Sequence, residues 1–180
     1  MNPHFLFNTL NTIYSLSIKK DDRAADAIIN LSGLMRYVIK DANNNKIRLQ
    51  NEIDYITNYI ELQKARLGNT ATISFETTGE TGTKTIAPLI LITYIENSFK
   101  YGINPDVDGC VVDVKIVLLD NRLTLFVFNK KVLLAEKIES TGIGISNTAE
   151  RLQLLYPNKH HIEVEDNNET YSLTLSLVLI

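Results

Sequence analysis

A chain of 180 residues, 44% hydrophobic and 22% charged, has the composition of a globular protein. It is long enough for one ordinary core, or for a small helical module joined to a domain of about 110 residues. Its net charge of −3 with scattered lysines and arginines argues against direct nucleic-acid binding, and its single cysteine, Cys110, excludes an internal disulfide. The sequence contains no apolar run near the ~20 residues that span a bilayer, and no secretory signal.

The chain opens Asn2-Pro3-His4-Phe5-Leu6-Phe7-Asn8. Proline suits a first helical turn, where its missing amide would be unpaired anyway, and Asn2 can cap that end. The run therefore predicts a helix with His4 in its first turn and Asn8 one turn later on the same face. Such a helix end favours an anion, for example a phosphate carried by the histidine. The plainer alternative is an ordinary histidine at a helix start. Leu6, Leu10 and Ile13 recur at helical spacing, as do Ala24, Ile28, Leu31, Met35 and Val38, with residues 19–23 as a polar turn between them. This pattern predicts an antiparallel hairpin whose apolar stripe calls for a second copy, in a dimeric four-helix bundle. The alternative is a hairpin that packs only on its own chain.

Residues 41–46, with three consecutive asparagines, read as a loop. A third helix carries Leu49, Ile53, Ile56, Ile60 and Leu67 on one face and stops at Gly68-Asn69. From residue 70 the period becomes alternating, with Ile73 and Phe75 in a strand. The predicted domains are therefore residues 1–68, helical, and residues 69–180. Pro88 marks the start of a helix over residues 89–101 that ends at Gly102. Val112, Val114, Ile116 and Leu118, a turn at Asp120-Asn121, then Leu123, Leu125 and Val127 predict a hairpin. Residues 130–141 show no clear pattern and residues 145–155 read as a helix. Ile162 and Val164, then Tyr171, Leu173, Leu175 and Leu177, predict two closing strands. The expected class is α+β: a helical dimerisation hairpin followed by an α/β two-layer sandwich.

Glu96, Asn97 and Lys100 end a helix whose preceding stretch, Leu89-Ile90-Leu91-Ile92, is apolar, which suggests the rim of a pocket. The plainer alternative is an exposed i,i+4 ion pair of Glu96 with Lys100, worth about 0.3–0.5 kcal/mol. Gly142 and Gly144 let backbone amides approach an anion at a helix start, though glycines there also simply cap and turn. Arg151 is either a structural cation or a phosphate neighbour.

Tyr94-Ile95-Glu96-Asn97-Ser98-Phe99-Lys100-Tyr101-Gly102 resembles the asparagine box of histidine kinases. Gly142-Ile143-Gly144-Ile145-Ser146-Asn147-Thr148-Ala149-Glu150-Arg151-Leu152 resembles their glycine box. With the Asn-Pro-His run, and in the expected order, these segments make the chain resemble the core of a sensor histidine kinase of the LytS/YehU type. The resemblance implies a Bergerat-type (GHKL) sandwich, ATP and Mg²⁺ as cofactors, and phosphorylation of a histidine followed by transfer to an aspartate of a separate response regulator. It implies His4 as phosphoacceptor, Glu96 as the group that orients or deprotonates the reacting group, Asn97 as the Mg²⁺ ligand and Lys100 as a phosphate counter-charge. Tyr101, Asn129, Gly142, Gly144, Asn147 and Arg151 would belong to the nucleotide site.

Members of that family often carry an Asp-x-Gly box after the central hairpin. Phe126-Val127-Phe128-Asn129-Lys130-Lys131 has neither residue, and Asn129 offers the adenine amino group a neutral acceptor instead. This departure supports an alternative, a dimeric signalling scaffold that binds nucleotide weakly. A clamp ATPase of the gyrase or Hsp90 kind gives no reason for a hairpin led by His4. By the same resemblance a membrane-spanning sensor region is expected ahead of Met1, removed together with part of the first helix. The chain is then expected to be the cytoplasmic portion of an inner-membrane protein, paired with a second copy through its N-terminal helices.

Overall fold

The computed structural model describes residues 3–132 and 143–179. Helix α1 (Pro3–Ile18) starts on its proline, with His4 in the first turn; Asn2, the predicted cap, lies outside the described residues. A turn with Lys20 in the left-handed region (φ 54°) leads to α2 (Arg23–Lys40). Arg23 is already helical because the Asp21 carboxylate accepts both its amide, at 3.0 Å, and its guanidinium, at 2.6 Å.

The buried side chains of the hairpin are Phe5, Thr9 and Leu16 on α1 and Ala27, Leu31, Leu34 and Tyr37 on α2. Leu10, Ile28 and Met35 are exposed, because α2 turns a neighbouring face to the third helix, α3 (Leu49–Leu67). Phe7, Tyr14, Ile18, Ile29 and Ile39 are exposed as well, so the outer surface of the hairpin is broadly apolar.

Helix α3 buries Leu49, Ile53, Ile56, Ile60 and Leu67 as predicted and ends at Gly68, whose φ of 55° suits glycine as a stop. Strand β2 (Ala71–Thr78) follows. Two short strands, β1 (Ile47–Arg48) and β3 (Thr85–Ile86), pair antiparallel and tie the start of α3 to the segment before α4 (Ile90–Gly102). The sequence gives no alternation signal for strands of this length.

The main sheet contains β2, β4 (Cys110–Leu119), β5 (Arg122–Lys130), β6 (His160–Asp166) and β7 (Thr170–Val178), in the order β2-β4-β5-β7-β6. Only β2 and β4 run parallel, as the crossover through α4 requires; the other pairs are antiparallel. Val114, Val127 and Leu173 stand side by side, as do Ile116, Leu125 and Leu175, so alternate residues build one buried face. Helices α4 and α5 (Ile143–Leu155) lie on that sheet side, and the apolar core runs without interruption from Phe5 to Leu179.

The entry to α4 is gripped by three side chains. The Ala87 amide donates to the Tyr156 hydroxyl at 2.8 Å, and the Arg151 guanidinium donates to the Pro88 carbonyl at 2.8 Å. Glu52, fully buried on α3, accepts the amides of Leu89 (3.0 Å) and Leu91 (3.2 Å) and the hydroxyl of Tyr37 from α2. Leu89 takes a left-handed cap conformation (φ 61°), so α4 begins at Ile90, one residue later than predicted. A carboxylate at the amide end of a helix answers donors that otherwise stay unpaired. Burial pushes the Glu52 carboxyl above its ordinary range, and the hydrogen bonds of Tyr37, Leu89 and Leu91 pull against that. Glu52→Ala would strand these donors in the core, and a loss of about 3–5 kcal/mol is expected. Urea unfolding checks it; an unchanged midpoint would mean that water replaces the carboxylate at little cost.

Candidate functional site

A cleft of about 460 Å³ opens where three helices meet. The first turns of α1 contribute His4, Phe5 and Asn8; α4 contributes Thr93, Glu96, Asn97, Phe99 and Lys100; α3 contributes Tyr59, Gln63 and Arg66. Aromatic rings fasten the helices beneath it. Phe5 lies 4.8 Å from Tyr59, and Tyr59 meets Phe99 edge-on at 5.5 Å, which brings the His4 end of α1 against α4.

His4 and Asn8 are joined across one helical turn, Asn8 Nδ2 to His4 Nδ1 at 3.3 Å. The amide thereby addresses one of the two ring nitrogens. With the amide turned over, its oxygen would hold a proton on Nδ1 and leave the lone pair on Nε2. On α4, Asn97 Nδ2 donates to the Thr93 carbonyl at 2.8 Å, so its oxygen is the atom left for a cation. Lys100 forms no ion pair with Glu96 among the described residues; its ammonium stands 5.1 Å from the Tyr101 ring centre. The predicted i,i+4 ion-pair alternative is therefore not what the structure contains.

Burial pushes the Glu96 carboxyl above the usual carboxylate range, which suits a group that takes up a proton. The same burial has a stability consequence. A folded pKa raised above the unfolded one means that the stabilisation is complete at acid pH and is lost as pH rises through the folded value. Glu96→Gln, which mimics the protonated acid, is expected to raise the melting temperature at neutral pH. The gain should vanish below the ordinary glutamate pKa; a gain that is the same at pH 3 and pH 8 would contradict the assignment.

Asn129 lies away from this cleft, at the end of the apolar row of β5 between Val112 and Tyr171. It is fully buried, its Nδ2 donates to the Lys130 carbonyl at 3.1 Å, and its Oδ1 has no partner. Gly102 permits this: a Cβ there would stand 2.5 Å from that of Asn129. The Arg151 Nη1 donates to the Pro88 carbonyl at 2.8 Å, a contact that fits the structural reading of this side chain. Tyr101 is half-buried, its carbonyl accepting the Val132 amide at 3.3 Å, and Asn147 is exposed on α5. Gly144 is the second residue of α5, and Gly142 lies outside the described residues, as does most of the stretch 130–141.

Tyr59, Gln63, Arg66 and Thr93 were not singled out from the sequence. A signal existed on α3: Tyr55, Tyr59, Gln63 and Arg66 recur at four, four and three, a row of polar-tipped side chains beside the apolar face.

The fold is that of histidine kinase catalytic domains. The catalytic domain of the histidine kinase ThkA superposes with a TM-score of 0.55 at 12% identity, over 74% of this chain and 95% of that one. Sequence kinship narrows the class. Residues 1–71 match the family model described as histidine kinase. The sensor histidine kinase YpdA of Escherichia coli is 32% identical over 173 residues, 90% of this chain and 30% of the relative. The sensor protein LytS of Oceanobacillus iheyensis is 27% identical over 94% of this chain and 31% of the relative. The chain belongs with the LytS-type sensor histidine kinases, and it spans about a third of the length of these relatives.

Proposed function

We propose that the chain is the histidine-bearing and ATP-binding part of a sensor kinase, in which a ring nitrogen of His4 takes the γ-phosphoryl group of ATP and later yields it to an aspartate of a response regulator. The observation that carries this reading is the single cleft lined by His4, Glu96, Asn97 and Lys100. The residues present fit a magnesium nucleotide. On the cleft Asn97 keeps an oxygen for the metal and Lys100 supplies positive charge; away from it, the buried and unpaired Asn129 Oδ1 is the acceptor that this reading assigns to the adenine amino group. Bound Mg²⁺ would neutralise charge on the nucleotide phosphates. Asn8 orients the His4 ring, and Glu96 receives the proton that the ring gives up.

In the same reading residues 1–68 are the dimerisation and phosphotransfer unit and residues 69–180 the nucleotide domain. The exposed apolar side chains Phe7, Tyr14, Ile28 and Ile39 pair two copies into a bundle. Sedimentation at tens of micromolar checks this, on the order of concentrations at which weak dimers form; a purely monomeric chain would refute it. The parent protein is membrane-anchored, with this part in the cytoplasm. No helix among the described residues is itself long and apolar enough to cross a membrane.

Incubation with γ-labelled ATP and Mg²⁺ tests the function. A label that is stable in base and lost in acid is expected. A protein that binds Mg·ATP and never labels would instead be the weak-nucleotide scaffold, a reading to which neither YpdA nor LytS, by name, lends support.

A further inference from the structure

We propose that Arg66, on α3, is a catalytic residue that grips the phosphoryl group as it passes to His4. The inference rests on the kinase reading above and adds to it a third wall of the cleft, opposite the histidine and asparagine motifs.

Three observations converge on this side chain. First, Arg66 lines the same cleft as His4, Glu96, Asn97 and Lys100, although it comes from a helix that carries none of the motifs. Second, its Nε is buried without a hydrogen-bond partner, and no carboxylate pairs with it among the described ion pairs. The nearest acid along α3, Glu61, is taken by Lys64 at 2.9 Å. Burial disfavours the charged guanidinium, so its placement carries a cost that an anionic partner would offset. Third, Gln63, one turn earlier, is 3% exposed, donates to the Tyr59 hydroxyl at 2.7 Å, and leaves its Oε1 without a partner. Buried polar groups are normally satisfied, and two unsatisfied ones on one wall of a cleft mark a place that a ligand completes.

The ligand chemistry follows from the residue type. A guanidinium presents planar paired donors that match two oxygens of a phosphoryl group, whereas Lys100 across the cleft acts as a point charge. In the transfer a lone pair of the His4 ring forms the N–P bond. The P–O bond to the bridging oxygen breaks and its electron pair leaves with ADP, while the other ring nitrogen loses its proton to the Glu96 carboxylate. Arg66 makes and breaks no covalent bond; its N–H groups hold the oxygens on which charge gathers.

Calorimetric titration of the 180-residue chain with Mg·ATP and with Mg·ADP decides the matter, together with melting curves and the rate of acid-labile labelling. Arg66→Met keeps the aliphatic stem, so its melting temperature should stay close to that of the unaltered chain. Its affinity for ATP should fall about tenfold or more while that for ADP changes less than about twofold, and labelling should slow by roughly a hundredfold or more, in the range of phosphoryl-gripping arginines. Arg66→Lys, which keeps stem and charge, should recover part of the preference for ATP. Equal losses for both nucleotides, an unchanged preference for ATP, or a marked drop in melting temperature would each overturn the assignment by showing a structural role or none. Failure of the unaltered chain to bind either nucleotide is a separate result: it would overturn the kinase reading itself, and this inference with it.

Discussion

His4→Gln is expected to remove all acid-labile label from a chain that otherwise binds Mg·ATP normally. The chain has three histidines, and their positions separate them. His4 is exposed at the first turn of α1, on the cleft lined by Asn97 and Lys100, with Asn8 addressing its Nδ1. His160 and His161 sit on β6, the sheet-edge strand, where His160 Nδ1 meets the Tyr156 carbonyl at 2.8 Å and His161 Nε2 meets Glu163 at 3.1 Å. Neither of them lines the cleft. Glutamine keeps bulk and polarity at an exposed helix start, so the fold should be untouched. Acid and base lability of the label identify a phosphoramidate, and a double substitution His160→Gln with His161→Gln serves as the control that should label fully. Label persisting in His4→Gln would assign the acceptor to another residue and would remove the reason for reading the cleft as a transfer site.

Asn97→Ala should weaken Mg·ATP binding by about a hundredfold, equivalent to about 2.7 kcal/mol. The side chain is preorganised: its amide nitrogen is fixed on the Thr93 carbonyl, which leaves one oxygen with a defined position on the cleft wall. Among the described α4 side chains on the cleft, Asn97 alone offers a neutral amide oxygen; Gln63 faces it from α3, with its Nε2 held on the Tyr59 hydroxyl. Because Asn97 is only half-buried and its amide donates within its own helix, to the Thr93 carbonyl, circular dichroism and melting should change little. Calorimetric titration with unchanged affinity and unchanged dichroism would sink the role of Asn97 as metal ligand.

The sequence by itself determined the elements and the motif positions. Helix and strand periods are local properties of the backbone, so the stripe of Leu49, Ile53, Ile56, Ile60 and Leu67 and the alternations of β4, β5 and β7 predicted what the structure contains. Pro3 and Gly68 likewise act on their own φ angles, and they begin α1 and end α3 where expected. Faces were less legible than periods. Ile28 and Met35 belong to the same apolar helix surface as Leu31, and only the position of α3 decides that Leu31 goes inward while the others stay outside.

Tertiary structure alone decided how the motifs meet. Glu52 looks like one more exposed acid on a helix until Tyr37, fifteen positions before it, and Leu89, thirty-seven after it, converge on its carboxylate. Asn129 continues the alternation of β5 and is placed by that register in the core, yet its unpaired oxygen is visible only when Gly102 is seen against it. The same holds for Arg66: its residue type is common on a helix surface, and its burial without an acid beside it depends on where α1 and α4 come to rest. Burial is a contest among segments distant in the chain, whereas periodicity is a property of each segment alone. The first sets the chemistry of the cleft, and the second only delivers the side chains that can take part in it.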